Sequence, residues 1–204
     1  MTASSLPFPY SSYQTTVAKP GHCFQFILLA CLTLPGAAAQ ASQGDLPNFH
    51  VVHDYLLRGG EPSSQGLKTL KALGVDEIVD LRAPTAKALA EKAEAKSLGM
   101  KYINLPMSSQ PPTEQQVMTF LKAVDEKAQL AKEHLSDDKG TKYPHSVFVH
   151  CAHGSDRTGC MVGIWRVSRD HWTYDQAYKE MRKYYFGPQY KQLAQAVKQR
   201  SDKQ

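Results

Sequence analysis

The twenty residues "SVFVHCAHGSDRTGCMVGIW", Ser146 to Trp165, restrict the possible folds more than any other part of the chain. Val147, Phe148 and Val149 are consecutive apolar residues without polar alternation, the pattern of a strand covered on both faces of a sheet. A polar loop containing Gly154 follows, and apolar residues then return at helical spacing. A strand that feeds a tight loop at a helix N-terminus gathers backbone N–H groups and the positive end of a helix dipole around one point. Such a loop is an anion site before any side chain is considered.

The surrounding text alternates in the same way. "FHVV" and "YLLR" read as short strands ending at Gly59-Gly60, and Pro62 with Ser63 or Ser64 opens a helix carrying Leu67, Leu70 and Leu73 that Gly74 stops. "EIVDL" and "KYINL" are further strands, separated by a helix that begins after Pro84. Thr113 with Gln116, and Thr173 with Gln176, have the spacing of capping boxes. The first box opens a helix with Val117, Phe120, Leu121, Val124 and Ala128 on one face. The second places Tyr174, Ala177, Tyr178 and Met181 inward, and a last amphipathic segment with Tyr190, Leu193, Ala194 and Val197 follows Gly187-Pro188. These elements predict an α/β domain: a central mixed sheet of about four or five short strands with helices on both faces.

Cys151 is the first residue of the loop, where the amides and the helix dipole favour thiolate over thiol and make it a nucleophile. Arg157, six residues on, has a planar fork suited to two non-bridging oxygens of a phosphoryl group. Gly154 and Gly159 allow close backbone approach, and Thr158 is placed to donate to the cysteine sulfur.

"HCAHGSDRTG" resembles the His-Cys-x5-Arg-Ser/Thr signature of cysteine-dependent protein tyrosine and dual-specificity phosphatases. "LLRGGEPSSQGLKTLKALGVDEIVDLR" is similar to the opening of compact, bacterial-type dual-specificity phosphatases. The resemblance implies that Cys151 attacks phosphorus to form a phosphocysteine. Arg157 and the amides of Ala152, His153, Gly154, Ser155, Asp156 and Arg157 would then hold the phosphoryl oxygens. Thr158 would stabilise the departing thiolate and His150 would orient the loop. It implies no metal or other cofactor, because the loop supplies the charge stabilisation. The implied partners are phosphorylated proteins or small phosphomonoesters.

The family usually takes its general acid from an Asp on a separate upstream loop, yet "NLPMSSQPPT" has no acid. Asp156, beside Arg157, is the alternative donor, or else an ion pair or hydrogen bond that braces the loop. Glu114, Asp137 and Asp138 are weaker choices. The loop contains no Lys, which favours phosphoprotein or small phosphomonoester substrates over inositol polyphosphates. Phosphoinositide or inositol-phosphate hydrolysis, and phosphate binding without turnover, are the alternatives. A zinc reading of His145, His150, Cys151 and His153 would consume the nucleophile and matches no common spacing. Cys160 shares a helical face with Ile164 and Val167 and reads as a buried small residue, the alternative being a resolving thiol. Arg58 and Arg82 end strands, where they read either as residues bordering the active-site cleft or, more commonly, as structural ion pairs. Trp165, Trp172 and the tyrosines of "KYYF" read as core or helix-packing residues.

Residues 1–41 contain no acid and a single lysine, Lys19, before the apolar run "FQFILLACLTL" and the small residues "PGAAAQAS". This order reads as a secretory signal with an unusually long n-region, cleaved after Ala39 or Ala41, and a start at Val17 would give a more typical one. The expected arrangement is therefore a signal at 1–41 and a single domain at 42–204, secreted or periplasmic, or else tethered by an uncleaved signal or a lipid anchor. Removing the signal leaves Cys151 and Cys160, too few for a disulfide framework. A formal charge of +5 over 204 residues, without basic blocks, gives no nucleic-acid footprint.

Overall fold

The computed structural model describes residues 44–133 and 140–203. The expected signal segment at 1–41 lies outside the described residues, as do Asp137 and Asp138. Among the described residues no helix is long and apolar enough to cross a membrane.

The elements follow the alternation of the sequence. They are β1 (His50–His53), β2 (Leu56–Gly59), α1 (Ser64–Leu73), β3 (Val75–Asp80), α2 (Ala86–Ser97), β4 (Lys101–Asn104), α3 (Glu114–Lys132), β5 (Ser146–His150), α4 (Asp156–Ser168), α5 (Tyr174–Lys183) and α6 (Lys191–Ser201). The strands form one five-stranded sheet in the order β1-β2-β5-β3-β4. The β1–β2 hairpin is antiparallel and every other pair is parallel. The sheet is mixed, as the sequence predicts, and β5 lies at its centre with all five residues buried.

Side chains of successive strand residues point to opposite faces, so a central strand must satisfy two cores at once. Val147 and Val149 of β5 pack with α3, α4, α5 and α6 on one face, and Phe148 packs with α1 residues Leu67 and Leu70 on the other. This double cover explains the unbroken apolar run of β5. The β2 residues Leu56 and Leu57 divide between the same two cores.

Hydroxyl caps start most of the helices. Ser63, Thr85, Thr113 and Thr173 each accept a backbone N–H from the first turn, and Thr113–Gln116 and Thr173–Gln176 close as capping boxes. α1 ends at Gly74, whose φ of 103° is the left-handed conformation favoured at a helix C-terminus. The first turn of α4 receives no side-chain cap from Ser155, so its leading N–H groups are left for another acceptor.

One expectation needs correction. Tyr185, read as a packing residue, is 76% exposed and has a φ of 67°. It is the outward corner of a turn whose neighbours carry the packing: Phe186 is fully buried, and Tyr184 lies over Arg58.

Candidate active site

The parallel strands β2, β5 and β3 end together at Gly59, His150 and Asp80. The loop from Cys151 to Ser155 crosses this edge, where ligands bind in open α/β sheets. Three of its carbonyls are held by residues outside the loop. Ala152 O accepts the Glu61 N–H at 3.2 Å, His153 O accepts from Asn48 Nδ2 at 3.4 Å, and Gly154 O accepts from Asn48 Nδ2 at 3.0 Å and Arg58 Nη2 at 2.7 Å. Carbonyls held from outside in this way are what a loop needs if its amides are to serve an anion, and the start of α4 beside it has no side-chain cap.

Gly154 makes this possible. Its φ is 72°, and a Cβ there would lie 2.4 Å from the backbone carbon of Gly59 and 2.5 Å from the Gly60 nitrogen. The Cys151–Ser155 loop and the β2 exit thus touch backbone to backbone, with no room for a side chain.

Cys151 is 2% exposed on the floor of a cavity of about 420 Å³. Met107, Ser108, Ser109, Tyr190 and Leu193 form its walls, together with His153, Asp156 and Arg157 of the loop and α4. Arg157 Nη1 lies 3.3 Å from Leu81 O and 3.5 Å from Met107 O, so the segments that follow β3 and β4 hold the guanidinium in the cavity that Cys151 also lines. Thr158 is fully buried, and its hydroxyl has no hydrogen-bond partner; the expected contact with sulfur is not made in this state.

Asp156 is the only carboxyl in the lining. Its Oδ1 accepts the Gly187 N–H at 2.7 Å, which ties the start of α4 to the turn between α5 and α6. The brace expected of this residue is therefore real, and the residue also lines the cavity. Glu114 is instead paired with Arg200 on α6, and that hydrogen bond holds its carboxyl below the usual range. Cys160 donates to Leu193 O at 3.5 Å, and burial pushes its thiol up to about 12. It is a packing residue and is protonated at neutral pH.

His150 lies beneath the loop with no exposure, its Nε2 2.9 Å from Glu91 Oε1 in an approach too bent for a hydrogen bond. It belongs to a buried ionic cluster that single residues in the sequence do not announce. Arg82 binds Asp80 through two hydrogen bonds of 2.9 Å, Glu91 at 2.6 Å and Glu61 at 2.8 Å, while the Tyr102 hydroxyl donates to Asp80 at 2.7 Å. Asp80, Glu91 and His150 are close enough to hold a metal, but the cation among these carboxylates is the Arg82 guanidinium. An acid at the end of an apolar strand followed by an arginine, "VDLR", was the available signal.

Burial alone would raise the Asp80 carboxyl; the hydrogen bonds from Arg82 and Tyr102 and the charge of His150 outweigh it and hold it below the ordinary range. A carboxyl lowered on folding stabilises fully above its unfolded value, and that stability is lost as the pH falls through the folded one. Asp80→Asn should cost about 3 kcal/mol at neutral pH, since it strands part of a buried guanidinium. In urea melts the gap between wild type and variant should narrow below about pH 4; an equal gap at neutral and acid pH would show that the Asp80 charge does not matter.

A family model described as a DSP-PTPase phosphatase fused to NAD+ kinase matches residues 41–199, most of the chain and the whole of this site. The chain belongs to that phosphatase family. It is an enzyme of the cysteine-based tyrosine and dual-specificity class. The phosphatase is 27% identical over 137 residues to inositol diphosphatase DSP3 of Arabidopsis thaliana, a match covering 67% of this chain and 61% of that one. It is 33% identical over 114 residues to a probable chloroplastic NAD kinase 2 of Oryza sativa subsp. japonica, covering 53% of this chain and 10% of the relative. The phosphatase thus spans about three fifths of the first relative and a small part of the second. Among solved structures it shares its fold with P. aeruginosa TpbA (TM-score 0.59, 19% identity, 78% of this chain and 88% of that one). It also shares it with the core catalytic domain of the PP-IP phosphatase SIW14 from S. cerevisiae (TM-score 0.58, 22% identity, 76% and 86%).

Proposed function

We propose that the phosphatase hydrolyses phosphotyrosine, phosphoserine and phosphothreonine monoesters through a phosphocysteine, with aryl phosphates the best substrates. The lining of the cavity carries this reading: Cys151 and Arg157 lie at its floor, Met107, Tyr190 and Leu193 offer an apolar wall for a ring, and Arg157 is its only permanent cation. Cys151 Sγ attacks phosphorus as the ester P–O bond breaks, and Arg157 with the loop amides binds the three equatorial oxygens. The leaving oxygen takes a proton from Asp156, whose carboxylate then accepts one from the attacking water. The S–P bond breaks, and inorganic phosphate leaves with Cys151 again a thiolate.

The relative called an inositol diphosphatase supports a second reading, in which a phosphorylated inositol is the substrate. Such a ring presents many phosphates, and a lining with one permanent cation and no lysine matches them poorly. Comparing kcat/KM for phosphotyrosine peptides with that for an inositol pyrophosphate decides between the two, and a clear preference for the inositol compound would overturn our choice.

Asp156→Asn isolates the acid, because asparagine keeps an oxygen to accept the Gly187 N–H. Hydrolysis of an alkyl phosphate should fall by about 10²–10³-fold while an activated aryl phosphate loses far less. Equal losses on both would leave Asp156 as a brace only.

A further inference from the structure

Arg58 lies in β2 opposite Val149 of β5 and has no exposed surface. Its Nη2 donates to Gly154 O at 2.7 Å and its guanidinium carbon is 4.7 Å from the centre of the Tyr184 ring. The same Nη2 would be 3.9 Å from a Cβ at Gly159, so the group sits directly behind the phosphate loop and the first turn of α4. Nε and Nη1 have no hydrogen-bond partner.

The other buried arginines are built differently. Arg82 is bound by Asp80, Glu91 and Glu61, and Arg166 by Asp170 and Glu180. No acidic side chain among the described residues forms an ion pair with Arg58; of its two sequence-based readings the ion pair falls away and the place beside the active-site loop fits, whereas Arg82 takes the ion pairs. Glu180, the carboxylate whose charge bears most on it, is held through both oxygens by Arg166. Burial pulls Arg58 down to about 10, which leaves it a cation at neutral pH.

A buried charge without a counter-charge is costly, and a fold that retains one places its compensation nearby. The compensation available to Arg58 is on the other side of the loop, where a thiolate and then a phosphoryl group carry negative charge. Asn48 grips the same Gly154 carbonyl, and its Oδ1 lies 3.0 Å from His50 Nε2. The carbonyl is therefore held by one charged and one neutral donor, both from the segment around the β1–β2 hairpin.

We propose that Arg58 is the positioning residue of the phosphate loop: it holds the Gly154 carbonyl outward and supplies the buried positive charge that the Cys151 thiolate and bound phosphate complete. This rests on the loop being the phosphate site. Arg58 touches neither the nucleophile nor substrate and acts through Gly154.

Arg58→Met, Arg58→Lys and Asn48→Ala test it in the full chain, with circular dichroism to establish folding. The first readout is the rate of Cys151 alkylation by iodoacetamide at neutral pH, followed by peptide mass spectrometry; the second is inhibition by inorganic phosphate. Arg58→Met should slow alkylation about tenfold and weaken phosphate inhibition about tenfold. Arg58→Lys, which keeps the charge, should recover most of the alkylation rate but not the phosphate affinity. Asn48→Ala should weaken phosphate inhibition and leave alkylation near the wild-type rate. A folded Arg58→Met alkylated and inhibited like wild type overturns the proposal. Should that variant not fold, an Arg58→Lys enzyme indistinguishable from wild type in phosphate inhibition overturns it equally. Alkylation needs no substrate, so failure of the hydrolytic reading would appear separately, as wild-type protein without turnover.

Discussion

Cys151→Ser should reduce hydrolysis of an aryl phosphate by at least about four orders of magnitude while the protein stays folded. The substitution changes one atom in a cavity floor that is otherwise fixed by Arg157, the loop amides and α4, so phosphate should still bind. What disappears is the sulfur nucleophile: a serine hydroxyl is far less acidic than a cysteine thiol and is a poor nucleophile at neutral pH unless a base takes its proton. Steady-state kinetics on wild type and variant, with phosphate binding measured by calorimetry, separates the two effects. Activity within tenfold of wild type would remove Cys151 from the mechanism. Loss of both binding and activity would point to a collapsed loop.

The second large effect is on stability. Gly154→Ala should cost at least about 4 kcal/mol, or prevent folding altogether. Two costs add. At a φ of 72° any Cβ is strained by about 1 kcal/mol, and this one would also sit 2.4–2.5 Å from the backbone atoms of Gly59 and Gly60, which no rotamer change can relieve. Relief requires the loop to lift away from β2, and that breaks the Arg58 and Asn48 hydrogen bonds to the Gly154 carbonyl. Urea denaturation and phosphate inhibition should therefore fail together. A stable Gly154→Ala enzyme with normal phosphate affinity would show that the close contact between loop and strand is not needed.

The parts of this molecule that were readable in advance depend on near neighbours in sequence. Thr113 and Gln116 close a box within one turn, and the apolar run of β5 reports directly that both sheet faces are covered. The Cys151–Arg157 spacing is equally local, and it brings the two residues into one cavity. What escaped the sequence depends on contacts between distant residues. Arg58 reaches a carbonyl 96 positions away, and Asn48 one 106 positions away, so neither has a local pattern that marks its role. Asp80, Arg82, Glu91 and Tyr102 meet around His150 because two strands and a helix bring them together. Tyr185 was misread because aromatic composition says core, whereas a turn with positive φ sends one ring of the run outward.

The placement of α6 bears on the shape of the cavity. Cys151, its loop and α4 are contiguous in sequence up to Ser168, yet Tyr190 and Leu193, which wall the cavity, and Gly187, which anchors Asp156, come from a later segment. The loop and the wall around it can therefore vary independently: a change at Tyr190 or Leu193 alters what fits above Cys151 without touching the loop itself.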